Sequence, residues 1–87
     1  MTKYRVELLD HKTRRQLDQV QEPDFSRIAQ AILKLEDNPR PPGCRKLHGL
    51  EGWRIRVGHW RVIYHINDQE RLVTVVEIRR RREDTYR

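Results

Sequence analysis

Apolar and polar positions alternate weakly over Tyr4-Arg5-Val6-Glu7-Leu8-Leu9, which predicts a strand. Asp10 is placed to cap a short helix over about His11–Gln19, with Thr13, Leu17 and Val20 on one face at i, i+4 and i+7. Pro23 and Asp24 open a second helix with a clearer period. Phe25, Ile28, Ala29, Ile32, Leu33 and Leu35 make its apolar side, and Arg27, Gln30, Lys34 and Asp37 its wet side. Pro39 disfavours helical geometry at Asn38, so the helix is expected to stop there. An apolar face at this spacing is core, and nothing on it has the chemistry of a site.

Asn38-Pro39-Arg40-Pro41-Pro42-Gly43 is a stiff connector, and Lys46-Leu47-His48-Gly49-Leu50-Glu51-Gly52 is a second turn-rich stretch. Together they read as one loop carrying the chain from helix to sheet. Trp53-Arg54-Ile55-Arg56-Val57 then alternates strictly, as does much of Trp60-Arg61-Val62-Ile63-Tyr64-His65-Ile66. Gly58-His59 between them fits a two-residue type II′ turn, with glycine at the first central position. That turn fixes the register. Val57 faces Trp60, Ile55 faces Val62 and Trp53 faces Tyr64 on one side; Arg56 faces Arg61, and Arg54 faces Ile63, on the other. A last strand over roughly Arg71–Ile78 delivers the chain to Arg79-Arg80-Arg81-Arg82.

The chain has 87 residues, 36% hydrophobic and 37% charged, so one small domain over residues 1–87 with a thin core is expected. No apolar run approaches the roughly 20 residues of a membrane span, and the first residues lack the apolar stretch of a signal peptide. A cytoplasmic location is the expectation. Cys44, the one cysteine, excludes an internal disulfide and cannot alone make a cysteine-based zinc site. Charge is uneven along the chain. Residues 1–37 carry seven basic and seven acidic side chains, while residues 38–87 carry twelve and six, so the whole net charge of +6 lies in the second part. Trp53, Trp60, Tyr64 and Tyr86 lie there too. Arginines mixed with aromatics suit single-stranded nucleic acid, whose phosphates need cations and whose bases need stacking surfaces. A solvated basic surface, or one that pairs with an acidic protein, fits the same composition.

The opposed arginines sharpen that choice. Like charges directly across strands cost a few tenths of a kcal/mol to about 1 kcal/mol. A phosphate between the two guanidiniums turns the repulsion into charge-assisted, bidentate hydrogen bonds. The open face therefore reads as an anion cradle at Arg56 and Arg61, with Arg54 beside them; the bland reading is a wet face rich in arginine.

The order of elements, the Asn38-Pro39-Arg40-Pro41 connector, Lys46-Leu47-His48-Gly49 and the run Trp53–Tyr64 resemble the RelE/ParE superfamily of bacterial toxins, on its RelE-like side. The resemblance covers essentially the whole chain. It implies an α+β, microbial-RNase-like fold: a small antiparallel sheet with two N-terminal helices packed on one face, in the order β-α-α-β-β-β. It implies a toxin of a type II toxin–antitoxin system that inhibits translation, cutting messenger RNA in the ribosomal A site without a metal or other cofactor. A cognate antitoxin is the implied inhibitor, with operator DNA reached only through the antitoxin complex. Carried over one by one, the catalytic positions fall on Arg54, Arg56, Arg61, Arg80 and Tyr86. Arg79, Arg81, Arg82 and Lys46 are candidate RNA contacts, and the run 79–82 leaves the tail register open.

The implied chemistry is attack of a ribose 2′-OH on the adjacent phosphorus, giving a 2′,3′-cyclic phosphate and a 5′-OH. It needs cations on the developing charge, with a base and an acid at the two oxygens. The founding RelE sequence has lysines at the first-strand pair; arginine stays protonated and is a poor base. The base is open among His65, which the register points to the arginine side, a loop glutamate such as Glu51, and catalysis by positioning alone. His59 reads as turn chemistry, His11 and His48 as surface positions, and Cys44 has no assigned role. Two other readings share the fold: a ParE-like gyrase poison without catalysis, and an inactive protein that binds RNA or antitoxin.

Overall fold

The computed structural model describes residues 3–49 and 51–80. The elements are β1 (Arg5–Leu8), α1 (His11–Asp18), α2 (Asp24–Lys34), β2 (Arg45–Lys46), β3 (Trp53–Val57), β4 (Trp60–Asn67) and β5 (Leu72–Arg80). They form one five-stranded sheet in the order β1-β5-β4-β3-β2. β1 runs parallel to β5, and the other pairs are antiparallel. The helices lie on one side of the sheet. Ile28, Ile32 and Leu35 pack there against Ile55, Val62, Tyr64, Val73, Val75 and Ile78. The other face is open. This is the expected α+β architecture, with β2 as an added edge strand inside what the sequence presents as loop.

Local chemistry sets the elements. Asp10 is extended and its carboxylate accepts from the backbone N–H of Thr13 at 3.0 Å, capping α1 as expected. α2 stops at Lys34, four residues short of Asn38. Leu35, Glu36 and Asp37 instead donate to the carbonyls three residues back, a tightened last turn that ends before Pro39. The hairpin keeps the expected register at all five pairs, from Val57↔Trp60 to Trp53↔Tyr64. Gly58 takes φ of 60°, the left-handed backbone that the turn demands of its first central residue.

The feature that positions the site is a bulge in β5. Ile63 pairs with Glu77 while the next residue, Tyr64, pairs with Val75, so Val76 is skipped. Val73 and Val75 face the core, and unbroken alternation would bury Glu77 and Arg79 with them. The extra residue shifts the phase. Ile78 becomes core, 3% exposed, while Glu77 and Arg79 face the open side. Helix α1 satisfies the disturbed backbone. The Thr13 hydroxyl, in a residue 1% exposed, shares its hydrogen between Asp10 Oδ1 at 3.0 Å and the Val76 carbonyl at 3.2 Å. The Ile78 N–H donates to Gln16 Oε1 at 2.8 Å.

Candidate functional site

The pairing arranges the open face in rows, because residues directly opposed on neighbouring strands share a side. Arg56, Arg61 and Arg79 stand abreast on β3, β4 and β5. The next row is Arg45, Arg54, Ile63 and Glu77, on β2 to β5. Beyond it His65 stands opposite Thr74 and over Gly52, where an added Cβ would come within 3.1 Å of His65 Cδ2. Strands lie about 4.8 Å apart, so one phosphate group can reach two guanidiniums of the first row at once.

Arg61 is the centre of that row. Its side chain is half-buried, and its Nε is buried with no hydrogen-bond partner. A buried donor left unmade costs about 1–3 kcal/mol, a cost that favours rotation of the half-buried guanidinium toward a phosphate oxygen at the face. Among the described residues, neither Arg56 nor Arg61 has a carboxylate partner. Arg79 does: its Nε and Nη2 lie 2.8 and 2.7 Å from Glu77 Oε2.

Arg80 pairs with Trp60 and faces the helix side, with its guanidinium 5.7 Å from the Trp60 ring centroid. The Trp60 Nε1–H in turn donates to Asp24 Oδ2 at 3.0 Å. The bulge at Val76 is the reason: Arg79, not Arg80, joins Arg56 and Arg61. Arg54 lies on the open face as expected. Lys46 pairs with Trp53, its ammonium 5.6 Å from that ring, and so lies away from the arginine row. Arg81, Arg82 and Tyr86 lie outside the described residues. His65 does face the arginine side, and with Arg40, Lys46, Glu51 and Trp53 it lines a cavity of about 220 Å³.

Two residues escaped the sequence reading, Arg45 and Glu77. A two-residue strand leaves no periodic trace, and a bulge reverses the phase without changing composition. Elsewhere, Tyr64 is fully buried and its hydroxyl donates to the Pro39 carbonyl at 2.7 Å. Burial, with the Cys44 thiol beside it, pushes the phenol well above its ordinary value, so it is a structural donor.

A family model described as the ParE toxin of type II toxin–antitoxin systems, parDE, matches residues 5–85. The chain belongs to this toxin family. Its fold is that of the wider RelE/ParE superfamily. A chain of the archaeal RelE–RelB complex from Pyrococcus horikoshii OT3 superposes with a TM-score of 0.82 at 26% identity, covering 97% of this toxin and 100% of that chain. The isolated Escherichia coli RelE toxin gives 0.81 at 15% identity, over 94% of this toxin and 88% of that chain. A chain of the RelBE2 toxin–antitoxin complex from Mycobacterium tuberculosis gives 0.79 at 21% identity, over 93% and 94%. No curated protein matches the sequence. Among the described residues of the toxin, no helix is long and apolar enough to cross a membrane.

Proposed function

We propose that this toxin is a ribosome-dependent mRNA endonuclease that cuts in the A site. The observation that carries the reading is the row Arg56–Arg61–Arg79 on the uncovered sheet face, with Arg61 Nε buried and without an acceptor. A ribose-phosphate link settling there brings oxygens to the guanidinium N–H groups of the row. The 2′-oxygen then attacks the phosphorus, and the guanidiniums stabilise the charge that builds on the equatorial oxygens. Arg54 and Arg45 extend the cationic surface along the message. The A site supplies the single-stranded, held substrate that a small open face cannot enclose.

The partner we infer is a cognate antitoxin, as in the solved RelE–RelB complexes. An apolar groove of about 240 Å³ on the helix side, lined by Val6, Leu8, Leu17, Ala29, Ile32 and Leu33, suits an apolar antitoxin segment. Leu33, counted with the core in the sequence, is 58% exposed there. Operator DNA would be reached through that antitoxin, and the ribosome places the activity in the cytoplasm.

The test is Arg61→Ala on programmed ribosomes. Cleavage of A-site mRNA is expected to fall at least about 10²-fold, the usual loss when one charge-stabilising donor is removed, with the circular dichroism spectrum retained. A folded variant that cuts at the wild-type rate overturns the reading. The family description favours one rival, a ParE-like poison of DNA gyrase. Supercoiling measured in the same extract separates the two: inhibited supercoiling with intact message selects the poison.

A further inference from the structure

Resting on the ribonuclease reading, we propose that Glu77 is the group that takes the proton from the attacking ribose 2′-OH. The arginines of the face hold their protons, so none of them can act as the base. Among the described residues, the groups on or beside the open face able to accept a proton include Glu77, His59, His65, Glu51 and Glu7; His59 lies in the hairpin turn, on the opposite side of the arginine row from Glu77. Their positions differ in kind. Glu77 is adjacent to the arginine row, one two-residue step along β5 from Arg79 and diagonal to Arg61 across β4. That step is about 6.8 Å, within reach of a glutamate side chain. His65 lies a further step away, over Gly52. Glu51 belongs to the loop before β3, beside the cavity at that far end. Glu7 is on β1 at the sheet edge, its Oε2 3.2 Å from Arg5 Nε.

The carboxylate is also held for the task. Both Arg79 donors fall on Oε2, at 2.8 and 2.7 Å. Among the described residues, Oε1 accepts no hydrogen bond. The opposed residue, Ile63, brings no competing polar group. The side chain keeps 32% of its surface exposed, so a bound ribose can touch it. A base must lie within hydrogen-bond reach of the proton it removes in a posed substrate. A phosphate clamped between Arg61 and Arg79 lies beside this carboxylate, one step along β5 from its own contacts.

The step balances. The 2′-O–H bond breaks and its proton passes to Glu77 Oε1. The 2′-oxygen forms a bond to phosphorus, and the bond from phosphorus to the 5′-oxygen breaks. The leaving oxygen takes a proton from water, and Glu77 returns its proton to solvent. The products are a 2′,3′-cyclic phosphate and a 5′-OH.

Glu77→Gln tests the assignment, since the amide still accepts from Arg79 but cannot take up the proton. Two quantities are measured on programmed ribosomes: the single-turnover cleavage rate at saturating toxin, and the Kd for a message blocked by a 2′-deoxy nucleotide at the cut site. The rate is expected to fall about 10²-fold, with Kd for the blocked message changed less than threefold. A fall in rate of less than tenfold overturns the proposal. So does a fall matched by an equal loss of affinity, which would make Glu77 only a support for Arg79. Wild-type toxin that leaves the message whole overturns the ribonuclease reading itself, a result separate from either of these.

Discussion

Arg79 and Arg80 are neighbours in the chain and face opposite sides of the sheet, so they answer differently to the same substitution. Arg79 stands beside Arg61 on the open face, where a phosphate contact releases counterions on binding. Arg79→Ala is expected to weaken RNA binding and to flatten the slope of log K against log salt by about 0.7, the share of one phosphate on single strands. Arg80 lies over Trp60 on the helix side. Arg80→Ala should leave that slope unchanged and remove a cation–π contact worth about 0.5–1 kcal/mol of stability at an exposed site. Salt titrations of both variants check the pair; equal slopes would mean that the bulge does not sort them. The hairpin arginines, by contrast, were legible in the sequence. Strict alternation from Trp53 to Val57, with glycine opening a two-residue turn, leaves one register, and Arg56↔Arg61 follows from it.

At the scale of elements, the difference between hairpin and tail lies in where the chain keeps its period. β3 alternates strictly and β4 does so except at Ile63 over their paired lengths, and with the turn fixing the register a two-residue periodicity reads them correctly. β5 contains the run Leu72-Val73-Thr74-Val75-Val76, in which apolar residues crowd and nothing in the residue types marks Val76 as the one to be skipped. The groups that satisfy the bulged backbone lie 62 and 63 residues away in the chain, on α1. Thr13 and Gln16 supply an O–H and an amide oxygen to backbone groups that the bulge takes out of the ladder. The sequence shows Thr13 on the inner face of its helix, but not what it meets. Thr13→Val keeps the shape and deletes the hydroxyl. Because the residue is buried, the loss is expected to cost about 1–3 kcal/mol, read as a lower urea midpoint with an unchanged m-value. A variant as stable as the wild type would mean that the ladder holds the bulge unaided.

Over the whole molecule, an arginine face and an apolar groove lie on opposite sides of one sheet, and the first strand, β1, pairs in parallel with the last, β5. A polar cluster ties the same region together. Asp68, in the turn between β4 and β5, accepts from the Tyr4 hydroxyl at 2.6 Å and from Arg40 Nη2 at 2.9 Å, while Arg40 lies 5.1 Å from the Trp53 ring centroid. The Arg40 guanidinium, helped by the Tyr4 hydroxyl, holds the Asp68 carboxyl below its ordinary range. The Thr13 backbone N–H does the same for Asp10. In the unfolded chain both titrate near the usual aspartate value of about 3.9. Between that value and the lowered folded ones the unfolded chain binds more protons, so stability rises with pH across the window. The contribution is present in full above about pH 5 and is lost as pH falls through the folded values. Both groups are exposed, so solvent screening keeps the effect small. Thermal unfolding followed by circular dichroism should therefore give Asp68→Ala a lower Tm than wild type at pH 7 and a shallower decline below about pH 4. The two curves should close on each other toward about pH 2, where the wild-type carboxylate is itself protonated. Curves that stay parallel down to that pH would show that the turn is held by packing around Tyr4 and Arg40, and not by the charge of Asp68.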